Sequence, residues 1–414
     1  MSDVPNDAHR AAEAAARSAY GKLVAALTAR TGDLAAAEDA LADAFASAMA
    51  TWPTRGVPSS PEAWLLTAAR RKLIDAARRR QTAEASAPDL ASRLENAAMD
   101  TVDPDMPDLR LGLLFLCAHP AIDASVRTPL MLQAVLGLDA ARIASVFLVK
   151  PATMSARLVR AKAKIKAAGI PFGIPGQDAW PERLDAVLGA VYGAYTAGWD
   201  DAGAGDFGAT SLASEAEWLA RLLVDLVPGS GEAKGLLSLI LFCQARRPAR
   251  GASGGAYVPL SEQDTSLWDD ALTGEANQLL RDAASCEDGG RFQLEAAIQS
   301  VHALRAVTGS TDHDTLLRLY DALLATAPSL GAAIARAAVL GEIGQPDAGL
   351  TALDALPDER VANHCPYHAA RGHLLALSGE TEAAAKALRR AAELASDTAA
   401  RDWLASRAAA LSQR

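Results

Sequence analysis

The stretch that decides the fold is "IASVFLVKPATMSARLVRAKAKIKAAGIP", residues 143–171. Asp139 can cap a first short helix through its carboxylate, and "FLVKP" then provides a turn. Pro151 begins a second helix, in which Met154 and Leu158 lie four residues apart and therefore share a buried stripe. Two helices joined by a turn of this length predict a helix–turn–helix motif.

The second helix of this motif carries short polar and basic side chains away from its buried stripe. A recognition helix needs such side chains to reach base edges, and it needs further cations to contact phosphates. The alternative is a solvated basic face on a structural helix. The candidate duplex-reading residues are Thr153, Ser155, Arg157, Arg160, Lys162 and Lys164.

A second basic helix is predicted at residues 61–80, "PEAWLLTAARRKLIDAARRR". Pro61 suits a first-turn position, and Trp64 lies at the head of the helix. Cations next to an aromatic ring suit strand-separated DNA, because phosphates need positive charge and unstacked bases need a flat partner. Trp64 fits a place in the hydrophobic core equally well. The basic residues are Arg70, Arg71, Lys72, Arg78, Arg79 and Arg80.

Composition places the chain in the all-α class. Half of its 414 residues are hydrophobic, alanine is abundant, and β-branched and aromatic residues are few. The net charge of −10 is uneven, with +3 in residues 1–176 and −13 in residues 177–414. Such asymmetry suggests a polyanion-facing first part and an acidic second part. The four cysteines show no paired spacing, and no segment suits a membrane span or a signal peptide, so a cytoplasmic location is expected.

The chain divides into four predicted segments. Residues 10–80 hold helices, including an acidic one that Gly32 and Asp33 should start and Pro53 should end. Residues 81–108 are polar, acidic and proline-containing, and they are predicted to form a linker. Residues 109–170 contain the helix–turn–helix. Residues 181–414 form a long helical extension.

The end of the extension carries an internal repeat. "ARAAVLGEIGQPDAGLTAL" (335–353) aligns with "ARGHLLALSGETEAAAKAL" (370–388) at an offset of 35 residues, with a glycine at each turn. This period resembles tetratricopeptide repeats, whose helix hairpins bury their apolar faces by stacking. A tetratricopeptide-like helical repeat domain is therefore predicted.

The order of these elements resembles the sigma factors of bacterial RNA polymerase. "AEDALADAF" (37–45) is similar to the helix with which that family binds the polymerase clamp, residues 61–79 to its −10-reading helix, and residues 143–165 to its −35 helix–turn–helix. Within the family, the chain is most similar to the extracytoplasmic-function class and to its subgroup with a tetratricopeptide-like C-terminal extension.

The resemblance implies a role for each matched residue. Asp39 and Asp43 would contact the β′ clamp helices of core RNA polymerase, and the β flap would be a further contact. Trp64, Arg70, Arg71, Lys72, Arg78 and Arg79 would engage melted −10 promoter DNA. Thr153, Ser155, Arg157 and Arg160 would read the −35 duplex, with Lys162 and Lys164 on phosphates. The extension would regulate activity or bind a protein or small ligand.

Two other classes of function stay open at this stage. One is a stand-alone helix–turn–helix regulator with a ligand- or protein-sensing repeat domain, which would bind intact duplex without polymerase. The other is a helical scaffold whose basic patches are solvated faces, which would show no salt-sensitive DNA affinity. No catalytic motif is found, so no enzyme activity and no cofactor are expected. "HCPYHAARGH" (364–373) is not expected to bind a metal, because Pro366 interrupts its first ligand pair.

Overall fold

The computed structural model describes residues 4–83, 109–147, 149–175, 180–201, 212–250, 257–395 and 397–412. All regular secondary structure in these residues is helical, and they contain no β-strand, so the predicted all-α class is confirmed. The predicted linker at 81–108 lies outside the described residues beyond Ala83. The chain divides into two compact units, Met1–Ala197 and Gly198–Arg414.

The first unit is built from three long helices, a group of shorter ones, and an eighth helix that runs past the end of the unit. Their bounds are α1 Val4–Thr31, α2 Leu34–Arg55, α3 Pro61–Ala83, α4 Arg110–Cys117, α5 Ala124–Leu136, α6 Ala140–Val146, α7 Pro151–Ala167 and α8 Trp180–Asp201.

The predicted helix starts agree with the structure. Asp33 caps α2 by accepting a hydrogen bond from the Ala36 amide, and Asp139 accepts one from the Arg142 amide at the start of α6. The predicted end of α2 was wrong by two residues, since Pro53 lies inside the last turn and the helix continues to Arg55. Proline lacks only its own backbone N–H, so the residues after Pro53 can still complete the last turn. The Gly56 amide donates to the Trp52 carbonyl oxygen and closes this turn.

The core of the first unit forms around α1, which packs against α2, α3, α4 and α5. The approach of α1 to α5 is very close, because a Cβ built on Gly21 would lie 2.4 Å from the carbonyl oxygen of Val135. Only glycine allows the two backbones to meet in this way. Helix α2 packs against α3 on one side and contacts α7 on another. The two candidate DNA-binding helices are therefore held by the same helix.

Helix α8 packs against α4. Trp180 meets Phe115 edge-on, with ring centroids 5.0 Å apart, and the Arg183 guanidinium donates to the Phe115 carbonyl. The sequence placed the start of the extension at 181, whereas the first compact unit runs to Ala197. Most of α8 thus belongs to the compact unit that contains α6 and α7.

The second unit is a succession of helices that pack on one another. Its helices of eight or more residues are α9 Leu212–Leu226, α10 Gly231–Ala245, α12 Asp270–Ala284, α13 Arg291–Ala303, α15 His313–Thr326, α16 Leu330–Glu342, α17 Pro346–Asp354, α19 Cys365–Leu377, α20 Thr381–Leu394 and α21 Thr398–Ser412; single turns lie at α11 Arg247–Arg250, α14 Arg305–Thr308 and α18 Asp358–Val361.

The two repeats in the sequence form two helix hairpins with equivalent crossing points. In the first hairpin, a Cβ on Gly349 would lie 2.6 Å from Ala337 O. In the second, a Cβ on Gly372 would lie 3.2 Å from Ala384 O. Ala337 and Gly372 lie 35 residues apart in the sequence, and so do Gly349 and Ala384. Each hairpin therefore crosses at the same two positions of the repeat.

No helix within the described ranges is long and apolar enough to cross a membrane.

Candidate nucleic-acid interface

Helix α7 has a well-defined buried side. Pro151 occupies its first turn, and the buried stripe consists of Met154, Leu158, Ala161 and Ile165. Spacings of four, three and four residues keep these side chains on one face of the helix. The opposite face is consequently turned to solvent.

Most of the predicted duplex-reading residues are exposed on α7. Thr153, Ser155, Arg160 and Lys164 are exposed, and Arg157 is half-buried. The Arg160 Nε also donates to the Ala156 carbonyl one turn earlier, at 3.2 Å, which holds its side chain along the helix.

The centre of the exposed face is apolar, a feature that the sequence reasoning missed. Ala152, Ala156, Val159 and Ala163 lie directly opposite the buried stripe, and 60% of Val159 is exposed. Their spacing of four, three and four residues repeats that of the buried stripe, so this pattern could have revealed them. Basic side chains flank this apolar face.

Lys162 lies in a different environment from the one predicted for it. Its Nζ donates to Glu38 Oε2 of α2 at 2.5 Å and to Gln133 Oε1 of α5 at 3.0 Å. The Lys162 side chain is only 13% exposed and that of Glu38 only 9%. In this conformation Lys162 is engaged by the protein and does not face a phosphate. Lys166 similarly pairs with Asp33, at 2.7 Å.

Glu38 is an unusual group for the interior of a helical bundle. Burial raises the pKa of its carboxyl above the ordinary value, and the neighbouring Lys162 partly offsets this by favouring the charged form. Its Oε1 is buried without a hydrogen-bond partner among the described residues. No local signal in the sequence identifies this pair, whose members lie 124 residues apart.

Helix α3 exposes an aromatic ring and cations on one face. Trp64, Arg71 and Arg78 are spaced seven residues apart, which is close to two helical turns. Trp64 is half-buried and meets the buried Trp52 edge-on, with centroids 5.5 Å apart, while Arg71 and Arg78 are exposed. Trp64 therefore packs on the core with one part of its ring and leaves another part exposed.

Two other predicted residues of α3 lie off this face. Arg70 is half-buried, and the exposed Lys72 is paired with Asp43 of α2 at 3.6 Å. The side chain of Arg79 lies outside the described residues.

Helix α2 separates its acids between two faces. Asp39 and Asp43, one turn apart, are exposed, and the Asp43 side chain is 63% exposed. Glu38 points the other way, into the contact with Lys162. The acidic face proposed for polymerase thus remains open while α7 contacts α2.

Two histidines of α19 form hydrogen bonds with neighbouring protein groups. His368 Nε2 lies 3.1 Å from the Ala362 carbonyl oxygen, and His373 Nε2 lies 2.7 Å from Glu342 Oε1. Within the part of the chain that the structure describes, no group of three or more His, Cys, Asp or Glu residues could hold a metal ion.

Comparison with known proteins bears on both units. Residues 16–83 match Sigma-70 region 2, and residues 183–284 match a family of unknown function (DUF6596). An uncharacterized protein of Rhizobium meliloti (strain 1021) is 34% identical over 385 residues, which cover 92% of this chain and 91% of that protein. No solved structure matches the chain. The chain belongs to the same family as the Rhizobium meliloti protein, and its Sigma-70 region 2 supports a sigma-factor role in transcription initiation.

Proposed function

We propose that the chain is a sigma factor of the extracytoplasmic-function class, which directs core RNA polymerase to specific promoters. The observation that carries the proposal is the α2–α3 pair, because it lies within the match to Sigma-70 region 2. One of its helices exposes acids, and the other exposes an aromatic ring among cations. These are the two surfaces that binding to polymerase and to promoter DNA would need.

In this proposal α3 binds melted −10 DNA. Trp64 offers part of its ring to an unstacked base, and Arg71 and Arg78 neutralise phosphates along the same face. Extruding a base costs a few kcal/mol, which stacking on an aromatic ring and backbone contacts can offset. Lys72 joins this surface if it exchanges Asp43 for a phosphate. Exposed ion pairs of this kind contribute about 0–1 kcal/mol, so the exchange is easy.

Helix α7 reads the −35 duplex through the face opposite its buried stripe. The small residues Ala152, Ala156 and Ala163 allow the helix to approach the floor of the major groove closely, and Val159 supplies methyl groups suited to the C5-methyl of thymine. Arg160 and Lys164 flank this face, where phosphates and base edges lie within reach. Thr153 and Ser155 offer hydroxyls at the end that enters the groove first.

Polymerase binding is assigned to the exposed acids of α2. Asp39 and Asp43 contact the β′ clamp helices, and the helix–turn–helix segment meets the β flap. The second unit acts as a tetratricopeptide-like extension that regulates initiation or binds a protein or small ligand. The repeated crossing of α16 with α17 and of α19 with α20 supports this architecture.

The test mixes the purified chain with sigma-free core RNA polymerase and measures co-elution and transcription from the DNA upstream of its own gene. We expect co-elution and specific initiation. The double variant Asp39→Ala/Asp43→Ala should lose co-elution, while Asp185→Ala, which removes an exposed acid of α8, should keep it. Binding to intact duplex without core polymerase, together with no initiation, would instead identify a stand-alone helix–turn–helix regulator.

A further inference from the structure

We propose that His119, Arg127 and Arg183 form a binding site for a phosphate group where α4, α5 and α8 meet. His119 lies in the turn between α4 and α5, and Arg127 lies in the first turn of α5. Arg183 lies on α8, at the start of the match to the family of unknown function. The source of the phosphate, promoter backbone or free phosphorylated ligand, is the one part of the proposal that rests on the proposed function.

Two guanidinium groups converge on the turn between α4 and α5. A terminal nitrogen of Arg183 donates to the Phe115 carbonyl at 2.5 Å. Arg127 donates from Nε to the Ile122 carbonyl at 3.0 Å and from a terminal nitrogen to the Pro120 carbonyl at 3.3 Å. Both side chains are half-buried. Two cations from different helices are therefore fixed by the backbone of one short turn.

His119 adds a third donor to the same turn. Its Nδ1 accepts a hydrogen bond from the Ala121 amide at 3.1 Å, so the neutral ring carries its proton on Nε2. The ring is half-buried. The turn thus combines an imidazole N–H with two guanidinium groups, and planar guanidinium groups suit the recognition of phosphate.

The three groups disfavour one another's positive charge. Burial lowers the pKa of His119, and the charges of Arg183 and Arg127 lower it further. Burial also lowers the pKa of Arg183, with Arg127 acting in the same direction and Glu182 against it. The Arg183 Nε is buried without a hydrogen-bond partner among the described residues. A bound phosphate would relieve this repulsion.

Helix capping does not account for the whole cluster. The carbonyls at the C-terminus of a helix such as α4 carry about half of an elementary negative charge, which favours one nearby cation. Arg183 takes this role through the Phe115 carbonyl. Arg127 then adds a second full charge to the same place, although its presence costs His119 and Arg183 part of their own stability as cations.

The cluster borders the exposed face of α7. Asp123, which caps α5, connects the two places. Hydrogen bonds from Ser125 lower the pKa of the Asp123 carboxyl, and the charges of Lys164 on α7 and of Arg127 act in the same direction. Positive charge therefore continues from α7 through Arg127 to Arg183 on α8. This position favours a phosphate of the promoter backbone as the source, because duplex DNA carries one negative charge per about 1.7 Å of its axis.

Inorganic phosphate tests the site directly in the full chain. Histidines are labelled selectively, and the imidazole signal of His119 is followed by NMR while phosphate replaces chloride at constant pH and ionic strength. We expect a saturable shift of this signal, because the anion binds beside the ring. The exposed His9 of α1 is the internal control and should not shift.

Two charge-removing variants show whether the guanidinium groups hold the phosphate. Arg183→Gln and Arg127→Gln should each weaken phosphate binding about tenfold, the lower end of the range for a hydrogen bond between charged groups. Arg281→Gln, at an exposed position of α12, is the matched control and should bind as the wild type does. A His119 signal that never saturates, or that shifts equally in both variants, would indicate an adventitious ion only and overturn the site. If either variant fails to fold, the titration of the wild type still decides.

Salt dependence identifies the source of the phosphate. Promoter binding by the complex with core RNA polymerase is measured over a range of KCl concentrations. If the promoter backbone is the source, Arg183→Gln should reduce the slope of log K against log salt by about one, while Arg281→Gln should leave it unchanged. An unchanged slope in Arg183→Gln, with an intact phosphate response in the wild type, would assign a free phosphorylated ligand. Failure of the wild type to bind a promoter would refute the proposed function, whereas the phosphate titration tests the site independently.

Discussion

At the scale of single residues, the exposure of Val159 leads to a prediction about base preference. A valine that faces the major groove gains stability from the thymine methyl group, worth about 0.8 kcal/mol, which is about fourfold in affinity. Replacing the contacted thymine of a selected −35 duplex by uracil should therefore weaken binding about fourfold in the wild type and much less in Val159→Ser. A variant that retains the full thymine preference would show that Val159 does not contact the base.

Trp64 gives a second prediction at this scale, because its ring has two roles. Trp64→Ala should lower the free energy of unfolding by about 3 kcal/mol through the lost contact with Trp52, and it should also impair promoter opening. Trp52→Phe tests the packing role alone, since Trp52 is 2% exposed and faces the core. Urea unfolding and permanganate footprinting of the −10 region measure the two effects. Normal opening by Trp64→Ala would limit this residue to a packing role.

His302 makes the stability of the second unit depend on pH. Burial, together with the charges of Arg246, His313 and Arg305, lowers the pKa of its imidazole from 6.5 to about 4. Between these values the unfolded chain binds the proton and the folded chain does not, so stability falls as the pH drops through this window. The loss attributable to His302 is about 3 kcal/mol.

The measurement is urea unfolding of the full chain between pH 7.5 and pH 4. The variant His302→Gln should lose most of this step, whereas His313→Gln, which removes only one of the three neighbouring charges that act on His302, should keep most of it. An unchanged pH dependence in His302→Gln would assign the step to other groups.

At the scale of elements, the helix hairpins of the second unit depend on glycine where their backbones meet. Gly349→Ala should destabilise the unit by about 1–3 kcal/mol, because the added methyl group would lie 2.6 Å from Ala337 O. Gly274→Ala in the second turn of α12 is the matched control, since no atom lies within 4 Å of the added Cβ. This control should stabilise its helix by about 0.5–1 kcal/mol. Equal effects of the two changes in thermal unfolding would contradict the close crossing.

The elements also show what the sequence could predict. Local chemistry identified Asp33, Pro61, Asp139 and Pro151 as helix starts, because a cap or a first-turn proline acts within one turn of its own position. The pairing of Lys162 with Glu38 could not be predicted in this way. Its partners are set by the packing of α7 on α2, and nothing within a few residues of Lys162 distinguishes it from the exposed Lys164.

At the scale of the whole molecule, the change in net charge and the division into compact units fall at different positions. The net charge changes from +3 to −13 at residue 177, whereas the first compact unit ends at Ala197. The sequence placed the start of the acidic extension at 181, on a loop rich in glycine and proline. The match to the family of unknown function begins close to this position, at residue 183, while the first compact unit includes most of α8, where Trp180 and Arg183 contact Phe115. A break in the chain marks the end of a helix, but tertiary packing decides to which unit the next helix belongs.

This difference makes truncation a sharp test of the regulatory role. A chain that ends after Asp201 retains α8 and should unfold at the same temperature as the first unit of the full protein. A chain that ends after Trp180 loses the Arg183 contact and the packing of α8 on α4, so it should unfold at a lower temperature. If the second unit regulates initiation, the longer truncation should still bind core RNA polymerase while its transcription from the cognate promoter changes severalfold. Full binding with unchanged transcription would remove the regulatory role and leave the extension as a separate binding module.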